Sequence, residues 1–201
     1  MSYKNHELDE VIYLSSKEEF LKNGFQKASL RKIADNANIT TGALYTRYKS
    51  KDELFESIIK DHIKFNFNMD EINKTYLEAK NNKDVEKFLE AIKLEEKMYL
   101  DFMFEYYEEC LLLFCKSEGS RLYSKIKTMV ENKNYQTIAF FKEISTHELS
   151  YEGISLIING QLSYFKYILE KGYSKEKAKQ VLETLEIFLD AGWKKIFEII
   201  I

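Results

Sequence analysis

Apolar residues recur at spacings of three and four along almost the whole chain and nowhere settle into the strict alternation of a half-buried strand, so the pattern predicts helices throughout. A first helix over Val11 to Asn23 turns Ile12, Ser15, Ser16 and Phe20 to one face, and the segment before it is either a disordered arm or an extension of that helix. Gly24 supplies its C′ stop, and Phe25 can fold back over its end. Two short helices and the start of a longer one follow between Ser29 and Phe55. Beyond Phe67 the pattern predicts Met69 to Lys80, Asp84 to Lys93, Leu94 to Lys116, Gly119 to Asn132, Asn134 to Ile144, His147 to Lys171, and Ser174 to the end. The fold class is therefore all-α. The sharpest punctuation is Gly172 followed by Ser174, a helix stop and a helix cap.

The stretch from Ser29 to Phe55 has the layout of a helix-turn-helix. Leu30, Ile33, Ala34 and Ala37 are the inward positions of the first helix, and Ile39 and Leu44 those of the turn and the second helix. Ser29 and Thr40 are placed as N-caps. Asn38 stands where the chain must reverse, a left-handed position that Asn tolerates better than most residues. The second helix, Thr41 to Tyr48, points Thr41, Tyr45, Thr46 and Arg47 outward, and Gly42 permits close approach of the backbone. Hydroxyls, a phenol and a guanidinium are the groups that read base edges in a DNA groove. Ser50 with Glu53 then forms a capping box at the start of a fourth helix. That helix carries Leu54, Phe55, Ile58, Ile59 and Ile63 and is expected to run past His62.

The run NGFQKASLRKIADNANITTGALYTRYKSKDELF resembles the N-terminal domain of TetR/AcrR-type, tetracycline-repressor-like transcription regulators. Gly24-Phe25 matches the glycine-aromatic pair of that family, and Ile33 to Leu54 matches its xIAxxAGVxxGxLYxxFxSKxxL core. Asn38 replaces a common glycine and Tyr48 a common phenylalanine. Ser15 and Ser16 stand where paired alanines are usual, and Glu19 where a leucine is common. The resemblance implies a three-helix DNA-binding domain over residues 1–65 and a helical ligand-binding and dimerisation domain over residues 66–201. It implies a dimeric repressor that binds a near-palindromic double-stranded DNA operator and is released by a small-molecule effector. The DNA-contacting set carried over is Ser29, Arg31, Thr40, Thr41, Gly42, Tyr45, Thr46, Arg47 and Lys51. Lys51 and the caps Ser29 and Thr40 sit at helix starts, where phosphates bind.

Composition supports the split. The chain of 201 residues has a net charge of −3, yet the stretch from Lys22 to Lys60 holds eight basic against four acidic residues. A basic head on an acidic body suits DNA binding by the head alone. The chain has no proline and only seven glycines, which leaves long helices uninterrupted. No run approaches the roughly 18 apolar residues of a membrane span. The polar N-terminus does not read as a signal peptide. Cys110 and Cys115 would point about 140° apart on one helix, so they are expected as reduced thiols in a cytoplasmic protein.

Enzyme chemistry finds little footing. His6, His62 and His147 lie without metal-ligand spacing, no phosphate-binding glycine loop occurs, and no cofactor or metal is expected. The acid pairs Glu95-Glu96 and Glu108-Glu109 read as the solvated face of a helix. The competing function is an all-helical enzyme or small-molecule carrier that binds no DNA. An aromatic content of 14% suits a cavity for a flat or lipophilic ligand. Candidate lining residues are Phe102, Met103, Tyr106 and Cys110 on the stripe opposite Asp101, Glu105 and Glu108, with Asn159 as a polar group to orient the ligand. In the last two helices, Gly153 and Gly160 mark a face open to close helix approach. The resemblance makes that hairpin the homodimer interface.

Overall fold

The computed structural model describes residues 3–60, 69–145 and 148–197. Among these, ten helices follow one another: α1 Tyr3–Lys27, α2 Leu30–Asn36, α3 Thr41–Arg47, α4 Lys51–Lys60, α5 Met69–Asn82, α6 Val85–Glu105, α7 Tyr107–Cys115, α8 Arg121–Ile144, α9 Tyr151–Lys171 and α10 Lys175–Ile196. They form two compact units, residues 1–65 with 106–128, and residues 66–105 with 129–201. The head also takes in α7 and the start of α8, which the sequence pattern assigned to the body.

The first unit is built on aromatic packing around the kink of α1. Gly24 sits at φ 69°, ψ 168° inside that helix, a backbone state that costs a glycine nothing. The turn aims the Phe25 N–H at the Lys116 carbonyl, 2.7 Å away. It also brings the Phe25 ring to 5.2 Å from Phe55, which meets Phe20 edge-on at 4.9 Å. Ile12, Ser16, Phe20, Ile33, Ala34 and Leu44 are buried with them, as the helical period requires. Cys110 and Leu112 of α7 are buried in this unit as well.

Two pairings lock the extra segment in place. The Lys17 ammonium reaches Glu108 at 2.7 Å and Glu109 at 2.8 Å. Arg121 donates to Glu56 of α4 at 2.8 Å, and its backbone N–H donates to Asp52 at 2.6 Å. The pair Glu108-Glu109 is thus not a uniform solvated face, since Glu109 is buried against Lys17.

In the second unit Phe88, Phe140, Phe141, Trp193 and Phe197 form the centre of the core, with Leu89, Ile138 and Ile154 around them. Gly172 closes α9 in the left-handed conformation (φ 62°), and Ser174 caps α10 by accepting from Lys177 N–H, both where the sequence put them. Several boundaries of the body differ from the sequence pattern. The predicted break at Lys93 is absent, and the helix from Leu94 is instead interrupted at Tyr106, whose ψ of 50° leaves the helical range. The predicted break near Asn132 is also absent, because α8 runs unbroken through Lys133. Helix α9 begins at Tyr151 with Ser150 as its cap rather than at His147. His147, His62 and Ile63 lie outside the described residues, as does the far end expected for the fourth helix.

Candidate nucleic-acid interface and buried cavity

The two short helices α2 and α3 are set by their caps. Ser29 Oγ accepts from Lys32 N–H at 3.4 Å and Thr40 Oγ1 from Ala43 N–H at 3.1 Å. Asn38 takes φ 54° in the turn, and Ile39 N–H closes on the Ala34 carbonyl at 2.9 Å. One support is invisible in the motif. Glu19, buried in α1, accepts the Ser29 N–H at 2.9 Å and so holds the start of α2 from behind. The residue that stands where a leucine is common thus supplies a buried acceptor.

Helix α3 is anchored by buried Leu44 and presents Gly42, Tyr45 and Thr46 to solvent, with Thr41 half-buried beside them. Tyr45 is half exposed. Thr46 Oγ1 donates to the Gly42 carbonyl at 3.0 Å, leaving its lone pairs outward. Arg47 differs from the expectation of an outward reader: its guanidinium pairs with Asp9 of α1. Arg31 is exposed and only loosely paired with Asp35, at 3.9 Å. Lys51 is also engaged. Its Nζ donates to the Gln26 carbonyl at 3.1 Å and lies 5.0 Å from the centre of the Phe25 ring, and burial pulls its pKa below the ordinary value. The capping box at α4 is shifted by one residue: Ser50 Oγ accepts from Glu53 N–H, but Glu53 reaches back to Lys49 N–H at 2.7 Å.

The second unit encloses a cavity of about 410 Å³. Helix α5 gives Asn73, Tyr76 and Lys80 to its wall, α6 gives Phe88, Ile92, Glu95, Glu96 and Tyr99, and α8 gives Asn134, Gln136, Thr137 and Phe141, while Ile158, Phe165 and Trp193 complete it. Phe102, Met103, Tyr106, Cys110 and Asn159 do not line it. Tyr106 and Cys110 belong to the first unit, where burial pushes the Cys110 thiol up to about 12 and leaves it inert. Asn159 is exposed, donates to Ser155 and accepts from Asn134, so it touches the cavity wall only through that neighbour.

The pair Glu95-Glu96, read from sequence as solvated, is the polar feature of the cavity. Glu95 is 5% exposed and accepts from the Tyr76 and Tyr99 hydroxyls at 2.7 and 2.6 Å. Burial, reinforced by Glu186 and Glu95, pushes the Glu96 carboxyl up to about 7. Adjacent acids on a helix point about 100° apart, so the period alone gave no reason to place both against one cavity. Among the described residues no group of His, Cys, Asp and Glu could hold a metal ion, and no helix is long and apolar enough to cross a membrane.

With this geometry in hand, the class is clear: a helix-turn-helix head joined to an all-helical body. Residues 12–58, within the helix-turn-helix head, match the family model for bacterial regulatory proteins, tetR family. Over 59 residues it is 34% identical to the HTH-type transcriptional repressor KstR2 of Mycolicibacterium smegmatis, covering 29% of this chain and 28% of that one. Over 53 residues it is 38% identical to the repressor BepR of Brucella suis, covering 26% and 25%. The chain thus matches little more than a quarter of the length of these curated relatives. The fold likeness extends much further. The crystal structure of NalD, the secondary repressor of the MexAB-OprM multidrug efflux pump in Pseudomonas aeruginosa, superposes with a TM-score of 0.58 over 91% of this chain and 95% of that one, at 16% identity. A TetR-like regulator from Rhodococcus sp. RHA1 gives 0.52 over 92% and 96%, at 17% identity.

Proposed function

We propose that this protein is a dimeric transcriptional repressor that binds a near-palindromic DNA operator and leaves it when a small lipophilic or aromatic effector occupies the body. The observation that carries this reading is the capped α2–α3 pair, with Gly42, Tyr45 and Thr46 exposed on one short helix inside a TetR-type head. Two such heads in a dimer would place their α3 helices in successive major grooves, roughly 34–36 Å apart. The cavity of the second unit is the effector site in this reading. Its volume falls within the roughly 300–1,000 Å³ of small-molecule sites. An effector acts by favouring the arrangement in which the heads no longer match the groove spacing, a population shift that needs only a difference in affinity between two states.

The test is a mobility-shift titration of the purified chain against DNA flanking its own gene, with unrelated DNA of equal length as competitor. A retarded band that survives competitor supports the repressor reading. Equal competition by both DNAs, or no band at low salt, would leave the all-helical carrier as the better account.

A further inference from the structure

Resting on the reading of the second-unit cavity as an effector site, we propose that its ligand is a lipophilic cation, held by the Glu95 and Glu96 carboxylates within an aromatic wall. From sequence the effector is expected only to be small and lipophilic or aromatic, with the acids assigned to solvent. Their actual position changes the chemistry the cavity asks for.

Both Tyr76 and Tyr99 spend their hydroxyl protons on Glu95. A tyrosine that donates to a carboxylate can act toward any further group only as an acceptor, so this part of the wall offers acceptors rather than donors. Glu96 adds another carboxylate beside it, and among the described residues no hydrogen bond or ion pair neutralises it. The rings of Phe88, Phe141 and Phe165 supply the apolar surface on which a cation gains from the electron-rich faces. Lys80 is the one cation among the described lining residues, and it is turned toward the Phe88 and Phe140 rings at 5.9 and 5.8 Å. A ligand with a positive centre and a hydrocarbon or aryl body answers both halves of this wall. A carboxylate ligand would bring a third negative charge to a site that already struggles to ionise its second.

The groups facing Glu96 fix the pH response. Glu95 and Lys93 share its helix, Glu186 and Asp190 face it from α10, and Lys80 lies across the cavity on α5. Lys93 is bound to Glu186 at 3.2 Å and Asp190 at 3.0 Å, so it is committed to those carboxylates. Glu96 is therefore half protonated near neutral pH, and a bound cation would draw it into the ionised form.

The probes are tetraphenylphosphonium and tetraphenylborate, a cation and an anion of nearly the same shape. They are titrated calorimetrically into the full chain, with the fluorescence of Trp193, the single tryptophan, as a second readout. The cation should bind preferentially, and more tightly as pH rises from about 6 to 8. Glu96→Gln should weaken it by roughly tenfold, the order of one charge–charge interaction across a partly buried site, and flatten the pH response. Glu95→Gln, which keeps one acceptor oxygen and so can accept from only one of the two tyrosines as they stand, should weaken it as well. Preference for tetraphenylborate, or cation binding unchanged in both variants, overturns the charge assignment while leaving the cavity an effector site. Binding of neither probe overturns both.

Discussion

At the scale of single residues, the proposed function divides the head's polar side chains between reading DNA and holding the head together. Under that proposal Tyr45 falls in the first group: it stands half exposed on α3, away from the buried Leu44 that anchors the helix. Tyr45→Ala should leave the thermal midpoint within the small range of a surface change, yet cost roughly 1–3 kcal/mol of specific operator affinity if its phenol meets a base edge. Equal affinity of the variant for operator DNA would remove Tyr45 from the interface. Arg47 is a poorer test, because its pairing with Asp9 mixes structure with readout. Lys51 belongs mainly to the second group. Its ammonium ties the Gln26 carbonyl and covers the Phe25 ring, so Lys51→Ala should lower the stability of the head by about 1 kcal/mol. Binding to all DNA sequences should fall together, with the salt slope reduced by about one if one phosphate contact goes with it. A variant with wild-type stability would show that the carbonyl contact contributes nothing.

At the scale of elements, the helix-turn-helix was legible and the interruption of the long body helix was not, for physical reasons. Caps and turns are written in local residue types: Ser29, Asn38, Thr40, Gly172 and Ser174 each occupy the position their chemistry favours. The break at Tyr106 has no glycine, proline or capping side chain to announce it. Because of it, a stripe read as continuous from Phe102 to Cys110 is divided between two units, and the cavity residues inferred from that stripe scatter. The placement of Glu95, Glu96 and Glu109 was equally hidden, since burial of an acid depends on a partner distant in sequence. For Glu109 that partner is Lys17, 92 residues away. The Glu56 cluster shows what such a partner does. Hydrogen bonds from Lys60 and Arg121 hold the Glu56 carboxyl down to about 2, from an ordinary 4.5. A depressed carboxylate contributes stability that is full above the ordinary value and is lost as pH falls through the folded one. Glu56→Gln should therefore destabilise the protein at neutral pH by about 1–3 kcal/mol. The gap between variant and wild type in urea melts should close between about pH 4.5 and 2. A gap that stays constant over that window would mean the carboxylate is not what joins α4 to α8.

At the scale of the whole molecule, the repressor reading stands or falls on assembly. One head offers one recognition helix, and a single half-site gives little specificity against the competing sites of a genome. The body offers a surface suited to pairing. Leu156 on α9 and Ile187 and Phe188 on α10 are large apolar side chains about three-quarters exposed. The glycines of the same two helices are not spent on packing within the chain. A Cβ at Gly160 would meet only the Tyr164 hydroxyl at 3.8 Å, and one at Gly192 nothing within 4 Å. This makes Gly160→Asp a sharper probe than its position in a helix suggests, because the protomer accepts the added Cβ without a clash and a closely packed partner helix would not. Phe188→Asp is the independent second variant, placing a charge on a side chain that already faces solvent. Both should keep the helical circular dichroism of wild type. Wild type should sediment as a dimer at micromolar concentration and both variants as monomers, with operator binding lost in parallel, because burying an unpaired carboxylate costs several kcal/mol. Variants that remain dimeric would move the interface off this face. A wild type that sediments as a monomer would end the two-headed mechanism, however well the head matches its family.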